Sequence, residues 1–259
     1  MLRFSANLST LYQDRPLLER LPAAKAAGFD AVEVWFPYEV QADRFADALA
    51  TYQLTCVGIN TPAGDVAAGD WGLATDPKQA ADFDASVELA MRYAWIIGCP
   101  NVHVMAGQPG DHISETVAWT TYRSSLRRAI DIAETHGRKP MIEPLNALDR
   151  PRYLLQRQDQ AISLIEEFGR DRLALMLDLF HLQRGEGNLI ERMRRSLPYA
   201  AHVQFADVPG RHEPGTGEIQ FENVFAELEA TGWLGWIGAE YLPVAGTDEG
   251  LGWMRRFAR

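Results

Sequence analysis

Three carboxylates and one amide stand where their neighbours in the chain are mostly apolar. They sit in Met141-Ile142-Glu143-Pro144, Leu175-Met176-Leu177-Asp178, His202-Val203-Gln204-Phe205 and Gly238-Ala239-Glu240-Tyr241. The four lie 35, 26 and 36 residues apart (143 to 178, 178 to 204, 204 to 240), each interval about the length of one strand–helix unit. An ionised carboxylate in such surroundings is costly unless it is paired or bound to a metal. Any one of these acids can be explained by a lysine or arginine partner, or as a cap on the following helix. All of them together are harder to satisfy that way, because the nearby segments offer few basic residues. A divalent cation resolves the conflict. Ligation of Glu143, Asp178, Gln204 and Glu240 by oxygen alone favours a hard ion, Mg²⁺ or Mn²⁺, over Zn²⁺. The pattern speaks for a metal and is silent about the reaction.

Residues at comparable heights need elements that repeat, and the chain supplies them. Short apolar runs at 3–6, 31–35, 55–60, 101–105, 140–144, 173–179, 202–206 and 236–240 read as strands. Amphipathic stretches near 17–27, 39–52, 77–97, 114–136, 158–168, 188–196, 221–231 and 248–257 read as helices. Asp76-Pro77 reads as a helix start, and Gly28, Gly137 and Gly169 as helix ends. Pro22 sits inside the first pattern and predicts a helix that is kinked or begins late. Eight alternating units predict an α/β fold, a single-domain (β/α)₈ TIM barrel spanning 1–259. The helix-to-strand links are short, whereas strand-to-helix segments such as 61–75, 145–156 and 207–220 are long. In a closed barrel those long loops share the face that carries the chemistry.

Composition narrows the partners. Among 259 residues, 47% are hydrophobic, enough for a large core, and the formal net charge is −10. So acidic a surface disfavours nucleic acid and anionic membrane, and an anionic substrate then needs a local cation. Cys56 and Cys99 form neither a CxxC pair nor a disulfide framework, so a reducing cytoplasm is expected. The opening MLRFSANLST has no leader-like apolar run, and no membrane span is expected. Self-association as a homo-oligomer is compatible with an acidic barrel, but no feature marks a surface for it.

The chain resembles the hydroxypyruvate isomerase family, within the xylose isomerase-like barrel superfamily. The residues that carry the resemblance run from Arg3-Phe4-Ser5-Ala6-Asn7-Leu8-Ser9 through Pro62-Ala63-Gly64-Asp65 and Glu143-Pro144-Leu145-Asn146. They continue through Asp178 with His181, the stretch from Gly210-Arg211-His212-Glu213 to Gly217-Glu218-Ile219, and Gly238-Ala239-Glu240-Tyr241. The resemblance implies that Glu143, Asp178, Gln204 and Glu240 bind the metal and that Glu143 and Glu240 also move protons. It implies interconversion of hydroxypyruvate and tartronate semialdehyde, and a role in glyoxylate or sugar-acid catabolism. Val102-His103-Val104-Met105-Ala106-Gly107 and Gly250-Leu251-Gly252-Trp253 look more like a sister group, the 2-oxo-tetronate isomerases, which act on an acid one carbon longer. Where relatives often carry Lys-Pro after the last Glu-Tyr, this chain has Leu242-Pro243.

Such a reaction removes a proton beside a carbonyl and returns it to the next carbon, which suits two carboxylates on opposite sides of the substrate. For the substrate itself the candidates are His181, at the end of the sixth strand, and Arg211, which can grip a carboxylate bidentately. His202 is expected to face the same side as Gln204, either toward substrate or beneath it. Asn7 and Asn60 end their strands and are read as facing the mouth or capping loops. Glu33 is read as paired with a basic neighbour, and Trp35, Phe36, Trp71 and Tyr241 as walls against water or as packing. Rival readings are a polyol dehydratase, a barrel that binds sugar acids without turnover, and an endonuclease acting at damaged DNA. The last is disfavoured by only six histidines and the acidic charge.

Overall fold

A computed structural model describes residues 2–257; Met1, Ala258 and Arg259, the ends of the expected domain, lie outside it. Eight parallel strands close into a barrel in sequence order: β1 Arg3–Asn7, β2 Ala31–Val34, β3 Thr55–Asn60, β4 Asn101–His103, β5 Lys139–Ile142, β6 Ala174–Asp178, β7 Ala200–Phe205 and β8 Trp236–Ala239. Outer helices follow the strands: α1 Leu17–Ala26, α2 Ala42–Thr51, α3 Ala80–Ile96, α4 Glu115–Thr135 and α5 Gln158–Phe168. After β6 come α6 Leu179–Glu186 and α7 Leu189–Ser196; α8 Phe221–Ala230 and the terminal turn α9 Met254–Phe257 complete the described chain. No helix among the described residues is long and apolar enough to cross a membrane.

The helices dock for ordinary reasons. In α3, Phe83, Val87, Ala90, Met91 and Ala94 recur at three- and four-residue spacing and are buried on one face. Asp76 accepts from the Lys78 backbone N–H at 2.8 Å, starting a short 3₁₀ turn at Pro77 that leads into α3. Pro22 lies inside α1, which begins directly after Pro16, so the expected late start is not found. Pro22 has no N–H to give the Leu18 carbonyl, and the packing of buried Leu17, Leu21 and Ala24 holds the helix despite that missing bond. The short α6, starting on the residue after Asp178, has no counterpart in the expected pattern. Asp178 itself caps it, accepting from the Phe180 N–H at 2.7 Å.

Side-chain alternation sorts each strand into two environments. Ile142, Leu175, Leu177, Val203, Phe205, Ile237 and Ala239 join the large core under the helices, whereas Met141, Ala174 and Met176 form a small separate cluster. The period of two then sends Glu143, two residues after Met141, and Asp178, two after Met176, into the lumen above that cluster. Asp178 and Gln204 are direct register partners, and Gln204 aligns with Gly238, so Glu240 lies one pleat farther along. β5 and β8 end two residues and one residue sooner than their sequence patterns predict, leaving Glu143 and Glu240 just past them.

Candidate active site

A cavity of about 590 Å³ opens at the C-terminal mouth of the barrel, with Glu143, Glu240, His103, His181, Arg150 and Arg211 in its lining. Glu240 is held on both oxygens. Its Oε1 accepts from Asn7 Nδ2 at 2.9 Å and from the Trp35 indole, and its Oε2 accepts from Arg211 Nη2 at 2.7 Å. Asp178 Oδ2 accepts from the same Arg211 nitrogen at 3.4 Å. Glu143 is different: its Oε1 is buried without a hydrogen-bond partner, and its Oε2 lies 3.5 Å from His103 Nδ1.

Below this level, Glu33 closes the lumen. It bonds to the His202 ring and accepts from Asn7 Nδ2 at 3.0 Å and from Gln204 Nε2 at 3.1 Å. Because the Gln204 amide gives its N–H to Glu33, its oxygen points away, and that Oε1 is buried without a partner. A Cβ on Gly238 would stand 2.4 Å from Glu33 Oε1, so only glycine leaves room there for the carboxylate. His202 is 1% exposed and bonded to Glu33 beneath the cavity, the lower of the two positions expected for it. Asn7, also fully buried, bridges Glu33 and Glu240 through its NH₂ and caps the loop after β1, its Oδ1 accepting from the Ser9 N–H at 2.9 Å. Asn60, Trp35 and Trp71 do line the cavity, whereas Tyr241 packs on Phe205 and Trp253.

The lumen therefore collects Glu33, Glu143, Asp178 and Glu240 around one arginine. Burial raises the proton affinity of Glu143 well above normal, with Glu240 and Asp178 adding repulsion. Burial also lifts Asp178 against the pull of Arg211, and pushes Glu240 up to about 8 against the same arginine. Burial opposes the charge of Arg211 too, yet Glu240, Asp178 and Glu143 together hold its proton more firmly than usual. The histidines do not help: burial drives His103 down to about 3 and, with Arg211, takes His181 well below its ordinary range.

Ligand atoms of Glu143, Asp178 and His181 lie within 4.8 Å of one another and can hold a metal ion. Two ionised carboxylates at that distance repel by roughly 3 kcal/mol at an effective dielectric of about 20. Glu143 Oε1 and Gln204 Oε1, both buried and unpartnered, are acceptors of the kind a cation satisfies. The donors present fit a hard divalent ion. His181 is the odd member of the group. Its Nδ1 accepts from the Asn146 backbone N–H at 3.2 Å and from Asn146 Nδ2 at 2.7 Å. On the other side of the ring, Arg211 Nη1 lies 3.2 Å from Nε2 and Asp178 Oδ2 lies 3.6 Å from it, so the ring stands between Asn146 and the Arg211–Asp178 pair.

The family with a sequence model matching residues 21–257 is described as a xylose isomerase-like TIM barrel. The chain belongs to that family. A 2-oxo-tetronate isomerase of Cupriavidus necator is 40% identical over 257 residues, covering 99% of each chain. A hydroxypyruvate isomerase of Escherichia coli K12 is 37% identical and covers 98% of each. A Brucella melitensis crystal structure described as an AP endonuclease of family 2 superposes with a TM-score of 0.94 at 37% identity, covering 99% of each.

Family membership does not explain how this chain holds Arg211, which sits in the loop after β7 with a φ of +57°. That conformation costs a non-glycine residue about 1 kcal/mol or more and persists only where the surroundings impose it. Asp207 imposes it. Its carboxylate accepts from the N–H groups of Val208, Gly215, Thr216, Gly217 and Ile219 at 2.8–3.1 Å. Leu242 N–H then donates to the Arg211 carbonyl at 2.8 Å, tying the loop to the end of β8. Asp207 and Glu33 were not singled out from sequence as site residues; each shows there only as a lone acid beside an apolar run. Replacing Asp207 with Asn turns an NH₂ toward backbone donors and is expected to cost about 3 kcal/mol of stability. Urea unfolding checks this, and an unchanged midpoint would show that the strap is not held by that charge.

Proposed function

We propose that this chain is an isomerase that interconverts hydroxypyruvate and 2-hydroxy-3-oxopropanoate through an enediolate, with Mg²⁺ or Mn²⁺ held by Glu143, Asp178, Gln204 and Glu240. The observation that carries the reading is the pair Glu143 and Glu240, which follow β5 and β8 into one cavity, Glu143 with an unpartnered buried oxygen. When bound, the cation supplies Lewis-acid charge to adjacent substrate oxygens and favours the enediolate.

The chain's own residues supply the rest. Glu143 and Glu240 take a proton from one substrate carbon and return it to the next, and their roles exchange with direction. Asn7, Trp35 and Arg211 hold Glu240 in one orientation, which keeps the transfer distance short. His181, held on Nδ1 by Asn146, lines the same cavity and sets its ring beside an oxygen that gains charge as the enediolate forms. Trp35, Trp71 and Phe180 exclude water from a carbanion-like intermediate that water would otherwise reprotonate.

A 2-oxo-tetronate substrate is the second reading. It is favoured by a cavity of about 590 Å³, which leaves space for another carbon, and by the Cupriavidus relative. The description of the Brucella structure does not redirect the reading, because a net charge of −10 opposes binding to DNA. The deciding assay supplies each acid to metal-stripped protein before and after adding Mg²⁺ or Mn²⁺, trapping the aldehyde from hydroxypyruvate with a coupled reductase. Metal-dependent turnover that prefers hydroxypyruvate supports the first reading, and preference for the longer acid supports the second. Failure on both acids at every metal concentration removes both.

A further inference from the structure

We propose that Arg150 is the carboxylate-recognising residue of this cavity, gripping the acid end of the substrate and selecting hydroxy-oxo acids over neutral polyols and ketoses. The assignment rests on the reading above that the substrate is such an acid. An anion entering an acidic barrel needs a cation whose charge is not already committed, and the cavity lining contains two arginines. Arg211 is committed: its Nη2 reaches Glu240 at 2.7 Å and Asp178 at 3.4 Å. Leu242 brings only an apolar side chain to the lining.

Arg150 is placed differently. It lies in the loop after β5, and its guanidinium carbon sits 3.6 Å from the centre of the Trp71 ring. Among the described residues its guanidinium has no carboxylate partner within bonding distance. The adjacent Asp149 does not serve, since its oxygens accept from Arg184 at 2.9 Å and from Asn146 at 2.9 Å. Stacking on an indole fixes the guanidinium plane but leaves its N–H edge free, and that edge matches a carboxylate bidentately.

The Trp71 platform is itself held rigidly. Leu73 and Gly107 form an antiparallel bridge between the loops after β3 and β4, and a Cβ on Gly107 would stand 2.2 Å from the Gly72 carbonyl oxygen. The electrostatics point the same way. Burial and then Arg211 both weaken Arg150's hold on its proton, a penalty that an incoming anion relieves.

The test uses metal-loaded protein and Arg150→Met, which keeps an apolar stem against Trp71 and removes the charge. D-glycerate, an acid with no carbonyl to isomerise, is titrated by calorimetry against glycerol as the neutral counterpart. Loss of a charge-assisted pair predicts that glycerate binding weakens ~30-fold, with Arg150→Lys intermediate and glycerol unaffected. With a hydroxy-oxo acid that the wild type turns over, KM rises by a similar factor and kcat changes less than about threefold. Equal glycerate affinity in wild type and Arg150→Met overturns the assignment, as does wild type that binds no glycerate. If wild type isomerises an acid and KM is unmoved in the variant, Arg150 loses this role while the reaction stands. If wild type isomerises neither acid but binds glycerate through Arg150, the reaction is wrong and the anion site stands.

Discussion

Glu240→Gln is expected to lower kcat by about three orders of magnitude at saturating metal, within the range that general acid–base groups contribute. The substitution preserves shape but removes a proton acceptor that three residues hold in place. Asn7 and Trp35 both donate to Oε1 and Arg211 donates to Oε2, so an amide NH₂ on either side meets a donor. Proton transfer and orientation are lost together, and Arg211 is released from its 2.7 Å partner. The measurement is kcat for the isomerised acid, alongside deuterium uptake at the substrate carbon in D₂O by NMR. Turnover within tenfold of wild type would remove Glu240 from the proton path. If exchange is lost while metal still binds, the defect lies in proton transfer and not in assembly of the site.

Stripping the metal is expected to abolish turnover, and the thermal stabilisation on restoring it is expected to grow as pH rises from about 6 to about 8.5. The sign follows from the raised carboxyls. Burial, partly offset by Arg211, sets Glu240 at about 8, and burial lifts Glu143 and Asp178 as well. An unfolded glutamate titrates near ~4.3, so between these values the native metal-free protein holds more protons than the unfolded chain. Stability from the protonated groups is therefore complete below the unfolded value and is lost as pH climbs through about 8. A cation requires ionised ligands, displaces those protons and cancels that loss, so its grip tightens over the same window. At about a thousandfold excess over Kd the linkage is worth ~4 kcal/mol, or about 10 °C for a chain of this size. Melting curves with and without Mn²⁺ across a buffer series read it directly. A gap that is constant or shrinks with rising pH would mean that the cation does not compete with these protons.

Much of the barrel was legible because its signals are local. Apolar runs of strand length, amphipathic stretches with buried residues at three- and four-residue spacing, and caps such as Asp76 are properties of neighbouring residues. The helix α5 matches its expected bounds, 158–168, and the strand β3 matches 55–60. What was missed is instructive. The short α6 follows β6 without an intervening turn, and its start depends on the Asp178 cap, an acid already marked for other work. The late start that Pro22 allowed is absent for the opposite reason: packing of α1 on the barrel outweighs one missing backbone bond.

At the site, spacing marked Glu143, Asp178, Gln204 and Glu240, because one strand–helix unit separates each from the next and a closed barrel brings the ends of successive strands to one face. The charge of Glu33 could be seen, but its place beneath the site could not. That depends on Gly238 leaving space from a strand more than two hundred residues away. His202 has the parity expected of it, yet parity gives only the side of the strand and not the depth, and depth makes it a partner of Glu33.

The sequence by itself determined the alternation of elements, the barrel they close into and which oxygen-bearing side chains share one end of it, since each of these follows from periodicity and repeat length. Only the tertiary structure decided how charge is distributed among those residues. It committed Arg211 to Glu240 and Asp178, left Arg150 stacked on Trp71 with its charge uncommitted, fixed the His181 ring against Asn146 and stored the left-handed turn at Arg211 under Asp207. The physical reason is that pairing and desolvation depend on distances of a few ångströms between side chains far apart in the chain, and one-dimensional spacing does not contain them.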